Sequence, residues 1–80
     1  RIKKVMAPGA LDSVTKELIY VAVSVVNGCE YCVHSHTAVA RKKGMTEEMR
    51  SELLSVIAMA SQTNALANAY QIEADDSFKE

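Results

Sequence analysis

Apolar residues recur at helical spacing along most of the chain, and turn-forming residues separate the apolar segments. The first segment runs from Val14 to about Val26, with Asp12 or Ser13 available to cap it and Asn27–Gly28 to end it. Its β-branched residues would also suit a buried strand, but nothing later in the chain offers a second strand. We therefore predict a helix that is buried on most sides, partly by contacts between subunits.

The same signals place a second helix directly after the first. It is expected to begin near Cys29 and to end at Lys43, because basic residues favour a helix C-terminus and Gly44 can stop the helix. Thr46 can then cap a third helix, whose first turn begins with two glutamates. The sequence thus predicts an all-α fold with the two cysteines at the start of a helix.

The rest of the sequence predicts the buried face of the third helix and one further helix. We expect a buried face on the third helix, made by the apolar residues at helical spacing: Met49, Leu53, Val56, Ile57 and Ala60. The polar residues Ser61–Thr63 suggest a break, and a fourth helix is expected from Asn64 to about Ala74.

Composition limits the class of protein. The 80 residues suit one domain, predicted to cover residues 1–80, with further residues expected before Arg1 because the chain does not begin with Met. The net charge is −1 with both signs interspersed, which predicts no nucleic-acid partner and no attraction to an anionic membrane. The longest apolar run, Leu18 to Val26, is too short to span a bilayer, and no signal peptide is expected.

Both cysteines and both histidines of the chain lie in the short stretch "CEYCVHSH". On a helical wheel Cys29, Cys32 and His36 fall within an arc of about 60°, whereas His34 points roughly 160° away from His36. Two cysteines at C-x-x-C spacing do not resemble a secreted disulfide framework. They fit a redox pair or a metal site in a cytoplasmic protein.

This arrangement suits thiol redox chemistry. Only a thiolate attacks a peroxide or a disulfide efficiently, and the first turn of a helix stabilises negative charge on both sulfurs. His36, one turn beyond Cys32, can take the Cys32 proton and hold the thiolate as an ion pair. Cys29 is then placed to condense with a sulfenic acid on Cys32.

Glu17 is the third candidate element. It lies twelve positions before Cys29, and in an antiparallel hairpin a direct reach to the dithiol does not follow from the sequence. The carboxylate could orient His36 or relay its proton through water. The alternative is that Glu17 only complements the dipole at the start of its helix.

Three other interpretations of the cysteine segment remain. The cysteines could be inert core thiols, since free Cys is often buried. They could bind zinc with His36 and His34, although structural zinc usually joins two separated ligand pairs. The fold could also serve a binding or scaffold role with little turnover.

The pattern E-x11-C-x2-C-x3-H, filled by Glu17, Cys29, Cys32 and His36, resembles the signature of the AhpD-like alkylhydroperoxidase, or carboxymuconolactone decarboxylase, family. The similarity extends over roughly Pro8 to Ala60 and includes the stretch "TKELIYVAVSVVNGCEYCVHSHTAVARKKGMTEEM". The resemblance implies a helical fold and a homo-oligomer, often a trimer or hexamer. It also implies Cys32 as the peroxidatic thiol, Cys29 as proton donor and resolving thiol, and His36 with Glu17 as the proton relay.

The resemblance further implies a peroxide substrate and an external dithiol reductant, either a dihydrolipoyl protein or a thioredoxin-like one, with no bound cofactor or metal. Tyr31 stands where some peroxidases of the family carry a second His beside the peroxidatic Cys. The decarboxylase branch lacks the dithiol, so lactone decarboxylation is not expected. The sequence therefore predicts a thiol-dependent peroxidase with an antioxidant role. The alternatives are a protein disulfide reductase and a zinc-binding or non-catalytic member of the fold.

Overall fold

A computed structural model describes residues 1–79, and every regular element among them is helical. The elements are α1 (Ile2–Met6), α2 (Ser13–Asn27), α3 (Glu30–Lys42), α4 (Glu47–Ala69) and a 3-10 turn at Asp76–Phe78. The prediction of an all-α fold with the cysteines at a helix start is confirmed. Within residues 1–79 no helix is both long enough and apolar enough to cross a membrane.

Helix α2 begins and ends as the local sequence predicts. The Asp12 carboxylate accepts a 2.8 Å hydrogen bond from the backbone N–H of Thr15, so Asp12 rather than Ser13 is the cap. At the other end Gly28 is left-handed, with φ of 72°. The N–H of Cys29 bonds to the carbonyl of Ser24 at 2.9 Å, which completes a Schellman turn. This turn leads the chain directly into α3.

The turn between α3 and α4 has the same kind of backbone geometry and hydrogen bonding. Gly44 has φ of 111°, and the N–H of Met45 bonds to the carbonyl of Ala40 at 2.9 Å. Thr46 caps α4 by accepting a 3.1 Å hydrogen bond from the N–H of Met49. Two glycine turns and two side-chain caps thus set the hairpin formed by α2 and α3 and the start of α4.

The core is small and lies mainly between α2 and α3. Glu17, Val21 and Ser24 are the buried residues of α2, and their spacing of four and three positions places them on one face. Ala40 and Met45 complete the set of buried residues among residues 1–79. The Ser24 hydroxyl donates to the carbonyl of Tyr20 at 2.8 Å, so this buried polar group is satisfied.

The opposite side of α2 is open. Ile19, Val23 and Val26 are exposed, so the single chain does not bury this helix on most sides, and its burial by subunit contacts stays a prediction. The short helix α1 covers only part of α2, where the Lys16 ammonium donates to the carbonyls of Val5 and Ala7 at 2.8 and 2.6 Å. The chain's own elements are too few to cover both faces of α2.

Helix α4 is continuous where a break was predicted. The Thr63 hydroxyl donates to the carbonyls of Met59 and Ala60, both at 3.2 Å, so its polar group is satisfied inside the helix. The helix ends at Ala69 rather than Ala74, because Gln71 adopts a left-handed φ of 52°. The prediction of a separate fourth helix from Asn64 to Ala74 is therefore wrong.

The predicted buried face of α4 is only partly correct. Met49, Leu53 and Ile57 are half-buried, but Val56 and Ala60 are exposed. At 1.5 Å per residue the 23 residues of α4 extend well beyond the 15 residues of α2, against which α4 packs. The C-terminal half of α4 therefore has little of this chain to pack against.

Candidate functional site

The Schellman turn at Gly28 makes Cys29 the N-cap of α3. Its sulfur accepts a 3.4 Å hydrogen bond from the backbone N–H of Cys32, three residues later. Cys32 lies within the first helical turn, but Cys29 precedes it, so the prediction that both lie inside the first turn is corrected for Cys29. Both thiols are free and half-buried, so neither is a fully buried core cysteine.

The two thiols differ in acidity because each contacts the other. Hydrogen bonds from the side chain and then the backbone N–H of Cys32 lower the pKa of Cys29. The same thiol–thiol hydrogen bond, with burial and the charge of Cys29, raises the pKa of Cys32. This contact favours negative charge on Cys29 over Cys32.

The antiparallel hairpin of α2 and α3 brings Glu17 to His36. The Glu17 Oε1 atom lies 2.6 Å from Nδ1 of His36, and the Glu17 side chain is only 3% exposed. An ionised carboxylate can only accept hydrogen bonds. Nδ1 of His36 therefore carries a hydrogen and donates the hydrogen bond to Glu17. The other ring nitrogen, Nε2, is then the atom at which the ring can exchange a proton with a reacting group.

The sequence reasoning missed Lys43. Its ammonium donates to the second Glu17 oxygen, Oε2, at 3.1 Å. Lys43 had been interpreted only as a basic residue at the end of a helix. A helical wheel could have indicated more, because Lys43 lies seven positions after His36 and thus about 20° from it.

The charge of Glu17 depends on both partners. Burial alone would raise the pKa of Glu17, but hydrogen bonds from His36 and Lys43, together with their charges, lower it below its ordinary value. Glu17 is therefore an ionised, buried carboxylate at neutral pH. Glu17 also lies beyond the first turn of α2 and is bonded to both partners, so it does more than complement the helix dipole.

Tyr20 was also missed, and it fixes the plane of the His36 ring. The two rings are stacked, with centroids 3.6 Å apart and planes 17° apart. Glu17 and Tyr20 are three positions apart on α2, so one face of this helix supplies both contacts. The imidazole is thereby held at its edge by the carboxylate and on its face by the phenol ring.

The dithiol and His36 are neighbours in sequence, at the start and within α3, but are not directly bonded. Among residues 1–79 no hydrogen bond joins the His36 ring to either sulfur, and the one-turn spacing from Cys32 to His36 connects them. His34 lies elsewhere, as predicted: it is 80% exposed, with its ring 4.0 Å from Glu30. Tyr31 is 82% exposed, so the position between the cysteines faces solvent.

An open pocket of about 550 Å³ adjoins the thiols. Its lining includes both cysteines and Tyr20, and most of the remaining wall is apolar: Val5, Met6, Leu11, Ile19 and Val23. Such walls suit an apolar molecule. Within the described part of the chain no three His, Cys, Asp or Glu side chains are grouped to hold a metal ion.

Known proteins share this fold and much of this sequence. The solved AhpD core of the alkylhydroperoxidase from Rhodospirillum rubrum superposes with a TM-score of 0.93 at 55% identity, covering 96% of this chain and 57% of that one. Alkyl hydroperoxide reductase AhpD from Solibacter usitatus is 42% identical over 90% of this chain and 39% of its own length. Uncharacterized protein 4 in the cox locus of Paracoccus denitrificans is 43% identical over 84% of this chain and 60% of its own.

This chain thus spans between 39% and 60% of the length of these relatives. The sequence model of the carboxymuconolactone decarboxylase family matches residues 2–74, nearly the whole chain. The resemblance noted from Glu17, Cys29, Cys32 and His36 is confirmed at the level of family and fold. The chain belongs to the carboxymuconolactone decarboxylase family, as an AhpD-like member.

Proposed function

We propose that this chain is a thiol-dependent peroxidase in which the Cys29–Cys32 pair reduces a peroxide and Glu17 with His36 moves the proton. The observation that carries the proposal is the buried Glu17 carboxylate, bonded at 2.6 Å to an imidazole one turn beyond a C-x-x-C pair. Relatives named alkyl hydroperoxide reductase and alkylhydroperoxidase support it. In a reducing compartment such as the cytoplasm the dithiol would be regenerated for an antioxidant role.

The reaction begins on the dithiol. Forming the first thiolate, on Cys29, releases one proton, which His36 accepts at Nε2. The remaining thiol proton then passes from Cys32 to Cys29 along the hydrogen bond between the sulfurs. The Cys32 thiolate attacks the terminal oxygen of the hydroperoxide, the O–O bond breaks, and Cys32 becomes a sulfenic acid. The departing alkoxide takes the Cys29 proton and leaves as an alcohol.

The second step closes the disulfide. The Cys29 thiolate attacks the Cys32 sulfur, and the displaced hydroxide takes the proton held by His36 and leaves as water. Two electrons have then passed from the dithiol to the peroxide. An external dithiol, on a dihydrolipoyl or a thioredoxin-like protein, would reduce the disulfide by exchange.

The pocket beside the thiols supports an organic rather than an inorganic peroxide. Its volume of about 550 Å³ is larger than hydrogen peroxide needs, and its wall is mostly apolar. An alkyl chain would lie against Ile19 and Val23 with its peroxide group near the sulfurs.

The test is peroxide consumption by the reduced, metal-free protein, with dihydrolipoamide as electron donor. The Cys32→Ser variant should lose both turnover and the sulfenic acid that dimedone traps. The Cys29→Ser variant should form one trappable sulfenic acid and then stop. Equal turnover in the wild type and in Cys32→Ser would overturn the proposal.

The lowered pKa of Cys29 favours a second candidate, protein disulfide reduction. At the N-cap, accepting the Cys32 N–H, Cys29 is the more acidic thiol and so the better attacking group on a disulfide. In that case Cys32→Ser, not Cys29→Ser, would trap a mixed disulfide with a protein substrate. Trapping at Cys29 without peroxide turnover would favour this candidate.

We further propose that the chain functions as a homo-oligomer, a trimer or a hexamer. Its accessible surface is 6453 Å², whereas a folded monomer of this mass exposes about 4,700 Å². The excess is comparable to what one protomer buries in one or two standard interfaces, at about 800 Å² each.

Helix α4 is the expected interface. From Leu53 to Ile72 the sequence has no charged residue, and Met59 and Leu66 are exposed there. Apolar side chains of this stretch are exposed to water, which costs free energy. A second copy of the chain that covers α4 would remove this cost. In analytical ultracentrifugation, Leu66→Glu should lower the sedimenting mass, while the wild type should sediment as a multiple of 8.7 kDa. A monomeric wild type at tens of micromolar would contradict the assembly.

A further inference from the structure

We propose that Lys43 is a positioning residue of this site: it holds Glu17 ionised and turned toward His36, and so selects the ring nitrogen that carries the His36 proton. The effect on Glu17 stands whatever the reaction turns out to be. Only the kinetic consequence rests on the proposed peroxidase function.

The geometry is a three-residue clamp between α2 and the end of α3. Glu17 divides its two oxygens: Oε1 lies 2.6 Å from Nδ1 of His36, and Oε2 lies 3.1 Å from Nζ of Lys43. His36 lies on α3 and Lys43 directly follows its last residue, seven positions later and on nearly the same face. The carboxylate is 3% exposed and Lys43 is 34% exposed, so the lysine closes the solvent side of the clamp.

Apart from His36, no other basic side chain among residues 1–79 bonds to Glu17. Arg41 pairs with Glu47 at 3.3 Å, and Lys16 donates to the carbonyls of Val5 and Ala7. Lys42, although adjacent in sequence, is exposed and pairs with no acidic side chain among residues 1–79. Lys43 therefore supplies a positive charge at this carboxylate that no neighbouring basic residue replaces.

The consequence for His36 follows from hydrogen-bond chemistry. An ionised carboxylate only accepts, so it requires the proton on Nδ1 and leaves Nε2 as the base. Without Lys43 a buried carboxyl is more easily protonated, because burial disfavours its charge. A protonated Glu17 can donate to Nδ1, which moves the ring proton to Nε2 and removes the base.

The test compares Lys43→Met with the matched control Lys42→Met. Carbon-13 NMR of the Glu17 carboxyl should show a pKa raised in Lys43→Met and unchanged in Lys42→Met. Nitrogen-15 NMR of the neutral His36 ring should show the proton on Nδ1 in the wild type and a larger fraction of the Nε2 tautomer in Lys43→Met. Lys43→Arg keeps the charge and should restore both signals.

If the protein is a peroxidase, Lys43→Met should reduce kcat/KM by about 10- to 100-fold, the range found when the hydrogen-bond partner of a metal-binding histidine is lost. The acid side of its pH profile should also move to higher pH. An unchanged Glu17 titration in Lys43→Met, or an equal shift in Lys42→Met, would overturn the inference. The NMR signals do not depend on turnover. An inactive wild type would therefore refute the proposed peroxidase function, while the NMR comparison would still test the role of Lys43.

Discussion

Replacing Glu17 by Gln tests the clamp most directly, because it removes the charge while preserving the shape of the side chain. The imidazole would keep an acceptor at Nδ1, but Lys43 would face an amide instead of an anion. We expect the peroxidase rate to fall by about 10- to 100-fold, as is typical when the group behind a reacting histidine is lost.

The cost in stability can be worked out from the two contacts. The hydrogen bond from His36 to a buried charged acceptor, at 2.6 Å, is worth about 1.5–3 kcal/mol. The Lys43 pair is partly exposed and adds about 0–1 kcal/mol. In Glu17→Gln the neutral amide would still accept a hydrogen bond from His36, worth about 0.5–1.5 kcal/mol. The free energy of unfolding should thus fall by roughly 2 kcal/mol, which lowers Tm by about 8–16 °C in a domain of this size.

The stability lost in Glu17→Gln should become smaller as the pH falls. The pKa of Glu17 is lowered in the folded state, because the hydrogen bonds from His36 and Lys43 outweigh the effect of burial. Its contribution to stability is therefore complete above the unfolded carboxyl pKa and is lost as the pH falls through the folded one. The wild type and Glu17→Gln should differ most near neutral pH and converge in acid.

Urea denaturation followed by far-UV circular dichroism measures this difference. The protomer concentration must be equal in all samples, because assembly would contribute to the apparent stability. Glu52→Gln, a change at an exposed residue of α4, is the matched control and should alter stability by less than about 0.5 kcal/mol. A gap between wild type and Glu17→Gln that stays constant from neutral to acid pH would refute the electrostatic reasoning.

Three further changes test the elements that position the site. Gly28→Ala should lower the free energy of unfolding by about 1–2 kcal/mol in a thermal melt, because a residue with a Cβ is strained at the φ of 72° found there. The added Cβ itself would meet no atom within 4 Å. An unchanged melting temperature would show that the backbone is not strained by the substitution. Thr46→Ala should cost about 1 kcal/mol by removing the α4 cap, and Thr46→Ser should restore most of it. His34→Ala should leave peroxide turnover within about twofold, because the ring is exposed and faces away from the site; a loss comparable to His36→Ala would place it in the chemistry.

The failures of sequence prediction have a common physical origin. Ser61–Thr63 looked like a break because polar residues often end helices, yet the Thr63 hydroxyl bonds to carbonyls of its own helix. Val56 and Ala60 have the spacing of a buried face, but α4 is longer than the helix against which it packs. Periodicity indicates which side of a helix is apolar; whether anything covers that side depends on the neighbouring elements.

The sequence alone determined the parts of this protein that depend on a few consecutive residues. The Asp12 and Thr46 caps, the glycine turns at Gly28 and Gly44, and the placement of Cys29 and Cys32 at a helix start all follow from contacts within about five positions. The family resemblance also followed from spacing along the chain, since four residues at fixed intervals carry it.

Only the tertiary structure decided how those local parts meet. Glu17 reaches His36 across 19 positions and Lys43 across 26, and both contacts depend on the register of α2 against α3. Side-chain contacts between helices depend on the distance and rotation of whole elements, and no spacing within one helix specifies these.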